Sequence, residues 1–138
     1  MLRLTLSIVG GLVAAFALVF ASDWVFHALI PSASAASADP NDREAMARYV
    51  ASQPTGVLAG LVLGWAVAAF VGSMIASRFA ERGAWPGRTV GGLFLLATAA
   101  NFVMITHPTW MVVAAVIAIA AAASLGAHVG ARTGQRVP

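Results

Sequence analysis

Asp23 and His27 stand four residues apart in Ser22–Pro31 (SDWVFHALIP), where a long apolar stretch ends. At that spacing a helix places carboxylate and imidazole one turn apart on one face. Such a pair can share a proton, relay one, or ligate a metal. A carboxylate costs roughly 2.5–3.5 kcal/mol at the middle of a membrane-spanning helix, so other groups are expected to receive it. Thr98 and Asn101 lie three apart on a later apolar stretch, and His107 sits in the short polar run Thr106–Trp110 (THPTW). The predicted ligand-binding or polar cluster is therefore Asp23, His27, Asn101 and His107, with Trp24, Thr98 and Trp110 supporting it. Asp23, His27 and His107 are also candidate ligands for zinc, copper or nickel, and no spacing among them is diagnostic. His27 and His107 could serve as axial haem ligands on facing helices. The bland alternative is a buried hydrogen-bonded network that fixes helix register. No HExxH, phosphate-binding glycine loop, nucleophile elbow or acidic cluster is present, so no enzyme and no cofactor are predicted.

These residues need elements to position them, and composition says which. Of 138 residues, 60% are hydrophobic and 9% charged, against about 25% charged in a soluble domain. Four stretches reach the length of about 20 residues that a bilayer requires, at 4–30, 54–79, 89–105 and 108–130. The expected fold is all-α: one integral membrane domain, a four-helix bundle, with a short amphipathic helix at 40–52 in the first outer loop. The first stretch is longer than the 7–15-residue core of a secretory signal, so it is expected to stay as a helix, ended by Pro31. The Ser32–Ala38 run then reads as a flexible connector. Asp39 suits the N-cap of the short helix and Pro40 its first turn, while Met46, Tyr49 and Val50 form its apolar stripe.

The second stretch carries Gly56, Gly60 and Gly64 every fourth residue, with Gly72 on the same face. Small residues so spaced let helices approach closely in lipid, against another helix of this chain or a second copy. Trp65, mid-span, is expected to face protein. Gly83–Gly87 (GAWPG) reads as a tight turn. Pro108 suits the first position of the last helix, with His107 as its cap. His128, near the far end of that helix, reads as an interfacial or packed histidine.

All eight cationic side chains are arginine, and the net charge is +3. They flank the apolar stretches, so they read as orientation signals and not as a nucleic-acid surface. Arg3, Arg78, Arg82, Arg88, Arg132 and Arg136 fall on one side, and Arg43 and Arg48 on the other. The positive-inside rule then puts both termini in the cytoplasm. The predicted location is a bacterial inner membrane, with the bilayer and a homo-oligomer or membrane protein as partners. Without cysteine, disulfides and thiol chemistry are excluded.

Three segments, DWVFHALIP, DPNDREAMARYVASQPTG and NFVMITHPTW, together resemble a widespread, uncharacterised family of small four-span bacterial membrane proteins. The resemblance covers nearly the whole chain. Family members commonly carry Glu where Asp23 stands, a histidine matching His27, and P-H-P-x-W where Thr106–Trp110 stands. Here Thr106 replaces the first proline, and Asp23 is one methylene shorter than Glu. The resemblance implies the four-span fold and the polar site, and supplies no activity. The functional expectation is a ligand-binding or accessory membrane subunit with an outward-facing polar cluster in the bundle. The alternative is a proton-coupled or metal-handling carrier using Asp23, His27 and His107.

Overall fold

The computed structural model describes the backbone of residues 1–29 and 42–134 and the side chains of 1–25 and 42–134. Pro31, the Ser32–Ala38 connector, Asp39, Pro40 and Arg136 lie outside the described residues, as does the side chain of His27. Helices follow in the order α1 Leu2–Leu29, α2 Arg43–Ser52, α3 Thr55–Ala80, α4 Trp85–Met104 and α5 Thr109–Gly134. The described residues contain no strand. The segments Leu2–Val25, Thr55–Ala80, Trp85–Met104 and Thr109–Gly134 are each long and apolar enough to cross a membrane.

The helix ends follow local chemistry. The N-cap of α2 is Asp42, whose Oδ1 accepts from the Glu44 and Ala45 N–H groups at 2.9 and 3.1 Å. The connection from α3 to α4 is shorter than the sequence suggests, because Trp85, Pro86 and Gly87 belong to the first turn of α4. Proline is pre-set for that position and has no N–H to leave unpaired. The reversal instead uses Glu81 (φ 53°) and Gly83 (φ +74°), both in the left-handed region. Ser77 stitches the turn from α3: its hydroxyl accepts from the Gly87 N–H at 3.0 Å and donates to the Ala84 carbonyl at 3.3 Å. At the other end of α4 the chain turns through Ile105–Pro108, and the Pro108 carbonyl accepts the first two bonds of α5.

Close approach of backbones, not interlocking of large side chains, sets the packing. A methyl group added at Gly126 or Gly130 would collide with the carbonyl oxygen of Phe70 or Met74, and one at Gly134 would come within 2.7 Å of that of Arg78. The numbers rise together on both helices, so α3 and α5 run parallel in close contact. Gly87 and Gly91 meet Ala127 and Ala123 in falling order, so α4 runs against α5. Added Cβ atoms at Gly11 and Gly72 would each lie 2.5 Å from the other residue's carbonyl oxygen, joining α1 to α3. Arg3 fastens the start of α1 to the end of α3. Its Nη2 lies 2.5 Å from Glu81 Oε1, and its Nε donates to the Phe79 carbonyl at 2.9 Å.

The buried set is correspondingly rich in small side chains: Ala15, Ala68, Ala69, Ala76, Ala115, Ala123 and Ala127 are core, with Leu58, Phe94, Met111 and Ile119 as the bulkiest members. Large apolar side chains point outward, Val103 being 85% and Phe20 72% exposed. Hydroxyls inside the apolar helices mostly bond a carbonyl of their own helix, as Ser7 does to Arg3, Ser22 to Val19 and Thr98 to Phe94. Such back-bonding satisfies them without a partner from elsewhere. Among the described residues, Ser73 Oγ is the buried side-chain polar atom without one.

Candidate functional site: a cleft between α1 and α4

The upper halves of α1 and α4 stand apart, with α3 behind them. Phe16, Val19 and Asp23 recur on one face of α1 at intervals of three and four. Phe94, Ala97, Thr98 and Asn101 do the same on α4. With Trp65 of α3 they line a cleft of about 160 Å³. Phe94 and Thr98 form its buried floor, Asp23 and Trp65 are half-buried, and Phe16, Ala97 and Asn101 are exposed at its mouth. The cleft therefore opens sideways, along the flank of the bundle.

Two helices thus bring Asp23, Thr98 and Asn101 to one space, and a third turns Trp65 into it. Asp23 is engaged by a neighbouring group as well as lining the cleft. The Thr98 hydroxyl donates to the Phe94 carbonyl at 2.9 Å, which leaves its oxygen lone pairs and methyl as what it offers the cleft. Phe16 and Phe94 meet below Asp23 with ring centres 5.7 Å apart.

No family model, curated protein or solved structure matches the chain.

The other expected site residues are placed differently. His27 lies in α1 one turn beyond Asp23, with its side chain outside the described residues. His107 does not line the cleft. Its ring sits edge-on to Phe102 at 5.0 Å, and Phe102 tilts at 6.0 Å against Trp65, whose ring lines the cleft. Its Nδ1 lies 2.7 Å from the Ile105 carbonyl oxygen. A carbonyl only accepts, so Nδ1 is the protonated nitrogen and Nε2 the one left for other partners. Trp24 is 75% exposed and turned outward, and Trp110 is 41% exposed beside the α4–α5 turn. Among the described residues no group of three or more His, Asp and Glu side chains is arranged to hold a metal ion. His128 is exposed near the end of α5.

Of the glycines singled out in α3, Gly64 faces Ser22 of α1, where an added Cβ would lie 3.0 Å from its hydroxyl. Gly60 and Gly64 border an apolar groove of about 400 Å³ with Leu18, Val25, Leu63 and Val67. An added Cβ at Gly56 meets nothing within 4 Å. Phe16, Val19, Phe94 and Ala97 are the cleft residues that sequence reasoning does not pick out. Their signal is their spacing from Asp23 and Asn101, a faint one within helices apolar nearly all round.

Proposed function

We propose that the protein is a multi-pass protein of a bacterial inner membrane, with both termini cytoplasmic, and that it binds a small ligand in the α1–α4 cleft. It serves as a ligand-binding or accessory subunit and not as an enzyme, and it belongs with the small four-span proteins its sequence resembles. Membrane insertion is supported by the inverted packing, small residues inside and large apolar ones outside, which suits hydrocarbon and would leave a large sticky surface in water. Orientation is supported by arginine placement. Arg3, Arg78, Arg82, Arg88 and Arg132 flank the end where α1 begins and α3 stops, and Arg43 and Arg48 sit on α2 at the other.

The observation that carries the ligand-binding reading is the cleft, with a carboxylate, an amide and an indole from three helices around one space. A network serving only to fix register would close on itself, whereas this one borders an opening. The carrier alternative has weaker support, because His107 does not line the cleft that Asp23 lines.

Native mass spectrometry of the full chain released from mild detergent tests the reading. The expected result is a retained small molecule or lipid that is lost in Ala97→Leu, a variant that fills the mouth of the cleft from an exposed position and melts no lower than ligand-free wild type. If wild type and variant release identical, empty species, and Asp23→Asn merely melts earlier, the cluster is structural.

A further inference from the structure

Resting on the ligand-binding reading, we infer that the cleft takes an alkylammonium group: a small primary or quaternary organic cation. The walls decide this. Phe16, Trp65 and Phe94 are three of the eight lining residues, and Asp23 is the one ionisable group among them. Aromatic faces attract cations through the negative pole of the ring, most strongly where water is partly excluded, and tryptophan is the best of them. A carboxylate at the same place supplies the counter-charge and repels anions. Val19 and Ala97 add apolar surface for the methyl or methylene groups that an organic cation carries and a metal ion does not.

Competing ligands fit less well. A hard metal ion needs about six oxygen ligands to replace its water. The cleft offers one carboxylate, one amide and a threonine oxygen, set among aromatic and aliphatic walls. A purely apolar ligand would make no use of the carboxylate and the amide that the cleft presents. Size agrees as well: a dry cavity of about 150 Å³ accommodates benzene, so about 160 Å³ suits a compound the size of tetramethylammonium or choline.

The cleft opens on the flank of the bundle, so the ammonium can arrive free or as the headgroup of a phospholipid. Asn101 at the mouth can donate to or accept from whatever the cation is attached to, a hydroxyl in one case and a phosphate ester in the other.

The test is the melting temperature of the full chain in a non-ionic detergent with tetramethylammonium, choline, acetate, or dimethylbutanol, the uncharged isostere of choline. A second arm uses nanodiscs of phosphatidylethanolamine or of phosphatidylglycerol. Choline or tetramethylammonium should raise the melting temperature, and acetate and dimethylbutanol should not. Asp23→Asn should weaken the response about tenfold or more, and Ala97→Leu, which keeps the carboxylate, should also weaken it. A response to free cations marks a soluble ligand. Stabilisation confined to phosphatidylethanolamine discs and lost in Asp23→Asn marks a headgroup, and either supports the inference. If dimethylbutanol stabilises wild type and Asp23→Asn as well as choline does, the cleft binds ligands and its selectivity for cations is refuted. If nothing stabilises the protein in either arm and the native spectrum is empty, the ligand-binding reading falls with it.

Discussion

Asp23 has an indole, two phenyl rings and an amide around the same small space, and each neighbour changes what its charge costs. In pure hydrocarbon a carboxylate is penalised heavily, whereas an amide dipole and ring edges offset part of that penalty. If Asp23 and Asn101 act through one cleft, their substitutions must not be independent. In a double-mutant cycle of Asp23→Asn with Asn101→Ala, read by thermal melting in detergent, the coupling should exceed about 0.5 kcal/mol. Simple additivity would mean that the two side chains do not share a site. The polar members of the cleft are legible in the sequence because Asp23, Thr98 and Asn101 interrupt apolar helices, where each needs a reason. Phe16, Val19, Phe94 and Ala97 are not, since a helix apolar on every side gives no hint of which phenylalanine turns inward. His107 illustrates a different limit. Its residue type and its turn are readable, but its distance from Asp23 depends on how Phe102 packs against Trp65.

Among elements, the contact between α3 and α5 is the most extensive in the bundle. Its basis is the run Gly126, Gly130 and Gly134, which shares the four-residue period of Gly56, Gly60 and Gly64. Period alone marks a face that can approach another helix and says nothing about which helix comes. Gly130→Leu should cost about 3 kcal/mol or more, because the added side chain meets backbone oxygen that has nowhere to go. Gly56→Leu should leave the melting temperature within a degree or two, its Cβ position being open. The reverse ranking would place α5 elsewhere in the bundle. The four long helices are legible from length and hydropathy. The start of α4 is not, because Trp85-Pro86-Gly87 reads as a turn until the cap given by Ser77 is seen.

At the scale of the whole molecule, arginine placement predicts a membrane orientation. Single cysteines report it cleanly in a chain that has none. Intact cells treated with an impermeant thiol reagent should label Ser52→Cys, at the end of α2, and spare Gln135→Cys until the membrane is opened. Labelling of Gln135→Cys alone would invert the topology. The parallel seating of α5 on α3 carries one more consequence, which concerns time. The ribosome makes α3 before α5, so the Phe70, Met74 and Arg78 carbonyls that α5 will cover stay bare while α4 and its turns are being made. Covering those carbonyls at such close range takes the α5 glycines, since a Cβ at Gly126 or Gly130 would already be too much. The α3–α5 contact, the most extensive in the bundle, is therefore made only after α1, α3 and α4 are in place. A nascent chain halted after α4 would be a half-built bundle, with α1 and α4 beside α3 and its most extensive contact still missing.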